Sequence, residues 1–191
     1  MTHSVSGAAV IRRLWPSDRA AVEAHFGRLD RETRFNRFMA AVSEAGARSY
    51  GAAALARDGL VYGAFVDGIL RGVGELRPTG PAGLGPEAEA AFSVEPGYRQ
   101  RGLGTALAER LCTAARHAAV GQVHLRALAG NRPLLALARR LGAEPVLSGG
   151  EAHAIVPIAP ATALSHWAES LDGLIDAMLA AFQPRAAQRA A

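Results

Sequence analysis

Arg99, Gly102 and Gly104 stand at a spacing that suits the capture of an anion. They belong to Glu95-Pro96-Gly97-Tyr98-Arg99-Gln100-Arg101-Gly102-Leu103-Gly104-Thr105, between an apolar run, Ala90 to Val94, and a long amphipathic stretch. A strand, a glycine-containing turn and a helix N-terminus in that order leave unpaired N–H groups pointing outward. The helix dipole favours negative charge there, and glycines let the backbone approach an anion closely. Arg99 and Arg101 bring two cations to the same place. The segment reads as a pyrophosphate site. It is not a Walker loop, which needs a lysine, because the chain has none. It is not a Rossmann turn either, since Leu107 stands where the third glycine belongs.

What remains, Arg-x-x-Gly-x-Gly, resembles the acetyl-CoA loop of the GNAT superfamily of N-acetyltransferases. Two further segments carry the same resemblance. Gln122 to Leu128 reads as a strand, and Asn131 to Ala143 is similar to the family's Asn-led helix ending in a glycine, here Gly142. Upstream, Asp30-Arg31-Glu32-Thr33-Arg34-Phe35-Asn36-Arg37-Phe38-Met39 resembles a stretch found in GNAT domains of bacterial protein-lysine acetyltransferases. The resemblance spans residues 8 to 158.

That resemblance implies a site and a reaction. Acetyl-CoA would be the co-substrate, with no metal, and its pyrophosphate would meet the backbone N–H groups of Gln100, Arg101, Gly102, Leu103, Gly104 and Thr105, beside Arg99. Phe92, Ser93 and Val94 would pair with the pantetheine arm as an added strand does. The Val94 N–H would face the thioester oxygen, and Asn131 would reach the far side of the arm. Asn131 reads equally well as the N-cap of its own helix, and one side chain can serve both. A general base is needed for an amine acceptor. Glu89 occupies the position of the catalytic glutamate in the lysine acetyltransferases that the chain resembles, with Glu87 in reserve on the same strand face. Many family members carry a tyrosine seven residues after the helix asparagine, where this chain has Ala138, and an aromatic after the helix glycine, where it has Ala143. A catalytically silent domain, a CoA-thioester-binding sensor or a partner-binding domain, is therefore the rival reading.

The elements that must position these residues follow from pattern. A strand from Ala8 to Leu14 precedes a helix opening at Pro16-Ser17-Asp18 and running to about Leu29. Asp30 caps a second helix, expected to bury Phe35, Phe38, Met39 and Val42. Leu60–Val66 and Ile69–Leu76 flank Asp67-Gly68, a hairpin signal. Glu87 to Glu95 is a fourth strand, Leu103 to about His117 a helix, and two short strands surround Ser148-Gly149-Gly150. The order β-α-α-β-β-β-α-β-α-β-β predicts an α/β (α+β) fold with a mixed sheet, GNAT-like, over residues 1–158. Leu164, Trp167, Leu171, Leu174, Ile175, Met178, Leu179 and Phe182 recur at helical spacing. They predict an appended amphipathic helix over 159–183, packed on its own domain or on a second copy as a homodimer, before a disordered tail at 184–191.

Composition narrows the class. Half of the 191 residues are apolar and a fifth are charged, as in a single globular domain. One cysteine, Cys112, excludes an internal disulfide framework and fits a reducing cytoplasm. No apolar stretch approaches the roughly 20 residues of a membrane span. The net charge of +4 comes from dispersed arginines, which points away from nucleic acid and membrane partners and fits an anionic co-substrate. Arg28, Arg31, Arg34 and Arg37 read as a solvated helix face.

Overall fold

The two faces of the central strands are apolar in opposite phase, so helices must cover both. On the strand Ile69–Pro78 (β3), Leu70 and Val73 join one buried cluster while Leu76 joins another. The computed structural model describes residues 9–160. It contains β1 (Val10–Arg13), α1 (Arg19–Arg28), α2 (Arg31–Phe38), α3 (Glu44–Ala54), β2 (Leu60–Val66), β3, β4 (Glu87–Val94), α4 (Leu103–His117), β5 (Gln122–Leu128), α5 (Arg132–Arg140), β6 (Val146–Ser148) and β7 (Glu151–Pro157). Single turns of 3-10 helix at Pro16–Asp18 and Pro96–Tyr98 precede α1 and the β4–α4 turn.

One seven-stranded sheet runs β1-β2-β3-β4-β5-β7-β6. Every neighbouring pair is antiparallel except β4 and β5. The β2–β3 hairpin turns at Asp67 and Gly68, whose φ values of 52° and 74° are both positive, as the two-residue turn requires. Helix α4 lays Leu103, Leu107, Leu111 and Ala115, one i, i+4 stripe, against one face with Ala138 of α5 and Ala143. Val22 and Phe26 of α1 and Ala47 and Ala54 of α3 cover the other face over β1 to β3.

Among the described residues, the far half of the sheet is covered on one face only. In β5 Val123, Leu125 and Ala127 are buried, and in β7 Ala152, Ala154 and Val156 are, whereas the alternate residues are exposed or half-buried. The uncovered face presents His124, Arg126, His153 and Ile155. It continues onto the face of β4 that carries Glu87, Glu89 and Ala91.

The mixed sheet, the hairpin and the helix after the glycine turn match the expectation, with two corrections. Helix α3 is an addition: Ser43 caps it by accepting from the Gly46 N–H at 3.1 Å. Its small residues give no wide apolar stripe, so periodicity misses it. Helix α2 stops at Phe38 because Met39 turns left-handed at φ 54°. Phe35 is 46% exposed rather than buried, and Phe38, Met39 and Val42 are half-buried. The expected C-terminal helix, its proposed dimer contact and the tail lie outside the described residues. Among those residues no helix is long and apolar enough to cross a membrane.

Candidate active site

Three backbone amides at the start of α4 have no partner within the helix. The first helical bond runs from the Ala106 N–H to the Gly102 oxygen at 2.9 Å, which leaves the N–H groups of Leu103, Gly104 and Thr105 unclaimed. Gly102 is the N-cap, at φ 81°, and no side chain caps the helix. Gln100 also takes a positive φ of 59° in the same turn. At Gly104 an added Cβ would meet nothing within 4 Å. Gly104 lines a cavity of about 580 Å³, so that empty space belongs to whatever the cavity holds.

The cavity follows a gap in the sheet. Strands β4 and β5 are in register only from Glu87–Gln122 to Ala90–Leu125. Beyond that point β5 turns to β7, which pairs with it through Leu128, while β4 stays paired with β3 through Val94. Which β4 amides face the gap follows from the ladder. Glu95 donates its N–H to the Arg71 oxygen at 3.0 Å. Bonding alternates in an antiparallel pair, so Ser93 and Ala91 also bond to β3. Phe92 and Val94 then turn their N–H groups away from β3, into the gap. The Val94 carbonyl there accepts from Arg99 Nε at 3.4 Å. This strip of open strand edge ends at the three free amides of α4.

Most of the residues singled out in the sequence meet here. Phe92, Ser93, Val94, Arg99, Gln100, Gly102, Gly104, Thr105 and Asn131 line the one cavity. Leu103 is buried and offers the site only its amide. The two flanking cations are already engaged. Arg99 donates to Thr33 Oγ1 and lies 3.7 Å from Asp30, tying the turn to α2. Arg101 packs over the Tyr98 ring, 5.2 Å from its centroid, and is not among the lining residues. The donors of the turn that remain without a partner are therefore its amides. Asn131 caps α5 through its oxygen, which accepts from the Leu134 N–H at 3.3 Å, and its NH₂ stays available to the cavity.

Glu89 is not among the lining residues. It is half-buried one step beyond Ala91 on the same strand face, with Arg77 and His124 as its cross-strand partners. Glu87 lies further out, 3.3 Å from His124 Nε2. Among the described residues the only lining carboxylate is Glu32 of α2, and Ala138 is buried in the core rather than facing the cavity. The sequence reading missed Asn36 and Arg37 of α2 and Arg126 and Arg140 on the opposite wall. Strand alternation alone would have placed Arg126 on the uncovered face.

Beneath the site are two buried carboxylates. Glu75 is fully buried and accepts from Arg37, Arg77 and Tyr50, the last at 2.8 Å. Burial alone would raise its pKa, but Arg37 and Arg77 hold it below the ordinary value. Glu95 is bonded to His25 at 3.2 Å, Arg28 at 3.0 Å and Arg71 at 2.8 Å. Here too burial acts upward, and hydrogen bonds from His25, Arg28 and Arg71 prevail, lowering the pKa to about 2. Arg37 thus points inward, Arg28 reaches Glu95 from an exposed position, and Arg34 donates to the Val42 oxygen at 3.0 Å, so much of the expected solvated arginine face is structural.

Residues 14–143, more than half of the chain, match the model of the Acetyltransferase (GNAT) family. The chain belongs to the GNAT family of acetyltransferases. Solved structures of the GNAT fold resemble it at low identity. The GNAT domain of S. lividans PAT is 18% identical with a TM-score of 0.65, covering 82% of this chain and 99% of that one. The structure of yncA from Salmonella typhimurium, solved with its cofactor acetyl-CoA, is 16% identical with a TM-score of 0.62, covering 81% and 96%. Ribosomal-protein-alanine N-acetyltransferase from Brucella melitensis is 20% identical with a TM-score of 0.60, covering 78% and 99%. No curated protein matches the sequence. Acetyl-CoA as the co-substrate of a GNAT acetyltransferase fits the residues present. The amides that open α4 have no partner, Gly104 adds no side chain to the cavity, and an open strand edge continues toward Val94. Among the described residues no group of three or more His, Cys, Asp or Glu could hold a metal ion.

Proposed function

We propose that the protein is an N-acetyltransferase that passes the acetyl group directly to a primary amine, on a protein or a small molecule, in a ternary complex. The observation that carries this reading is the continuity of the open β4 edge with the three free amides of α4. Together they fix a long ligand from its phosphates to its reactive end, so the acyl group lies beside Val94. Acetyl-CoA supplies an activated carbonyl with a thiolate leaving group. The Val94 N–H donates to that carbonyl oxygen, an interaction that strengthens as charge develops. In other enzymes loss of such a donor costs roughly 10²–10³ in rate. The amine enters over the uncovered sheet face, past Ala91 and Arg126, opposite α2. Glu89 takes the ammonium proton through a water, because it stands about 7 Å, two strand residues, behind Ala91 on that face. The Brucella neighbour's name specifies an alanine of a ribosomal protein, which keeps protein amines among the acceptors to be tried.

A second reading has its own observation. Glu89 is absent from the cavity lining and Ala138 is buried, so a domain that binds CoA thioesters as a sensor would show the same cradle. CoA release measured over a panel of amines and protein substrates decides between them. Turnover by the wild type, reduced about 10²–10⁴-fold in Glu89→Gln with unchanged acetyl-CoA affinity, supports the enzyme and its base. Tight acetyl-CoA binding with no turnover on any acceptor supports the sensor.

A further inference from the structure

The amide assigned to the acyl carbonyl is flanked by a buried polar chain that neither the cradle nor the base uses. Ser93 and Glu95, on either side of Val94, both reach toward α1, where one side chain meets them both. His25 Nε2 lies 2.9 Å from Ser93 Oγ, and His25 Nδ1 lies 3.2 Å from Glu95 Oε1. His25 is fully buried, Ser93 is 3% exposed and Glu95 5%. Burial, the largest influence on His25, lowers its pKa despite the neighbouring carboxylate. The ring is therefore neutral, and its contact with Glu95 is a hydrogen bond rather than an ion pair. Glu95, ionised between Arg28 and Arg71, can only accept, so Nδ1 carries the proton. Nε2 must then accept, and Ser93 Oγ–H donates to it. Every proton in this chain has one direction.

We propose that His25 is a positioning residue: by bridging Ser93 and Glu95 it fixes the peptide between them, and so the direction of the Val94 N–H. The inference rests on the reading of Val94 given above. The geometry argues for positioning over plain packing. A buried polar chain costs desolvation that an apolar trio of the same size would avoid. This one clamps the residues on either side of Val94, the last β4 residue before the turn into α4. Ser, His and Glu at these distances also have the form of an activated nucleophile. Glu95 is, however, held by two arginines, and Ser93, although it borders the cavity, is only 3% exposed with its hydroxyl turned to α1, so the arrangement serves orientation.

The experiment compares Ser93→Ala, which deletes one hydroxyl, with Ser93→Thr, which restores it, and adds His25→Phe. Acetyl-CoA labelled with ¹³C at the acetyl carbonyl is bound to each, and the carbonyl stretch is read by difference infrared spectroscopy. In the wild type the stretch should lie below its value in water, because the Val94 N–H polarises the bond. In Ser93→Ala and His25→Phe it should move back toward the solution value while acetyl-CoA affinity stays within about twofold, since the phosphates are held on α4. Ser93→Thr should restore the shift. With a confirmed acceptor, kcat should fall at least tenfold in Ser93→Ala with KM for acetyl-CoA little changed. A wild-type shift that survives in Ser93→Ala and His25→Phe overturns this proposal alone. The absence of any shift in the wild type overturns the Val94 reading together with it. An acetyl group found covalently on Ser93 by mass spectrometry after mixing with acetyl-CoA also overturns it, in favour of a nucleophile.

Discussion

Strand β4 treats its two neighbours differently. Toward β3 it is paired along seven successive positions, from Ala88–Pro78 to Val94–Gly72. On that side and beneath it, the polar groups are committed: Glu75 to two arginines and a tyrosine, Glu95 to two arginines and a histidine. Toward β5 the pairing ends at Ala90, and past it the amides of Phe92 and Val94, and the amides that open α4, are left uncommitted. On the function proposed above, stability and chemistry are divided across the width of one strand. A binding edge must leave donors unpaired, and the cost of that openness is tolerable because the opposite edge is fully satisfied. Substitutions on the sealed side should cost stability first, and substitutions on the open side should cost binding or turnover first.

Glu75→Ala tests the sealed side most severely. It would leave the Arg37 and Arg77 guanidinium groups, only 10% and 17% exposed, without their carboxylate. Breaking a buried pair by removing one partner costs about 3–5 kcal/mol. Urea unfolding should show a loss of that size. A loss under about 1 kcal/mol would mean that the network is not what holds α2 and α3 to the sheet.

Acid should act on the same side. Glu95 titrates near 4.5 in an unfolded chain and at about 2 when folded. Its contribution is therefore complete above pH 4.5 and is lost as pH falls through about 2, and Glu75 shifts in the same direction. His25 is lowered from 6.5, so the folded state prefers the neutral ring. Below pH 6.5 the unfolded chain takes up that proton first, and stability declines. Unfolding free energy against pH should be flat just above neutrality, fall gently below 6.5 and fall more steeply below 4.5. His25→Phe should remove the gentle segment and keep the steep one. A rise in stability between pH 7 and pH 5 would contradict these assignments.

Gly104→Val tests the open side. Its Cβ would enter the cavity without touching protein, so stability should not fall. The side chain would occupy the space in front of the free amides, and acetyl-CoA affinity should drop at least tenfold, about 1.4 kcal/mol. Gly102 is a poorer probe, because at φ 81° any side chain is strained and folding would suffer as well. Calorimetry on a folded Gly104→Val protein with wild-type affinity would remove the pyrophosphate from this turn.

What the sequence made legible follows the same division. The open side is local: a strand, two glycines and a helix start are contiguous, and Asp67-Gly68 and Asn131 announce their turns within a few residues. The sealed side is not. His25 meets Glu95 70 residues away and Arg37 meets Glu75 38 away, and no short-range pattern distinguishes those arginines from a solvated face. Helix α3 was hidden because small residues pack without a wide apolar stripe. Alternation placed Glu89 on the correct face of β4, but the lining of the cavity depends on where β5 diverges, which only the register shows.

Asn131 belongs to both sides at once and gives the smallest and most discriminating effect. Its oxygen caps α5 and its NH₂ remains for the cavity. Asn131→Ala removes both functions. The lost cap should cost about 1 kcal/mol of stability, and acetyl-CoA affinity should weaken too. Asn131→Asp keeps an oxygen acceptor, and an acid at a helix N-terminus is favourable, so stability should return to within about 0.5 kcal/mol of wild type. The donor would still be missing, and a negative charge would stand beside an anionic ligand, so affinity should stay low or fall further. Thermal unfolding and calorimetry on the two variants therefore separate the roles. Recovery of both properties in Asn131→Asp would reduce Asn131 to a cap, and recovery of neither would mean that its contact with Leu134 is not what starts α5.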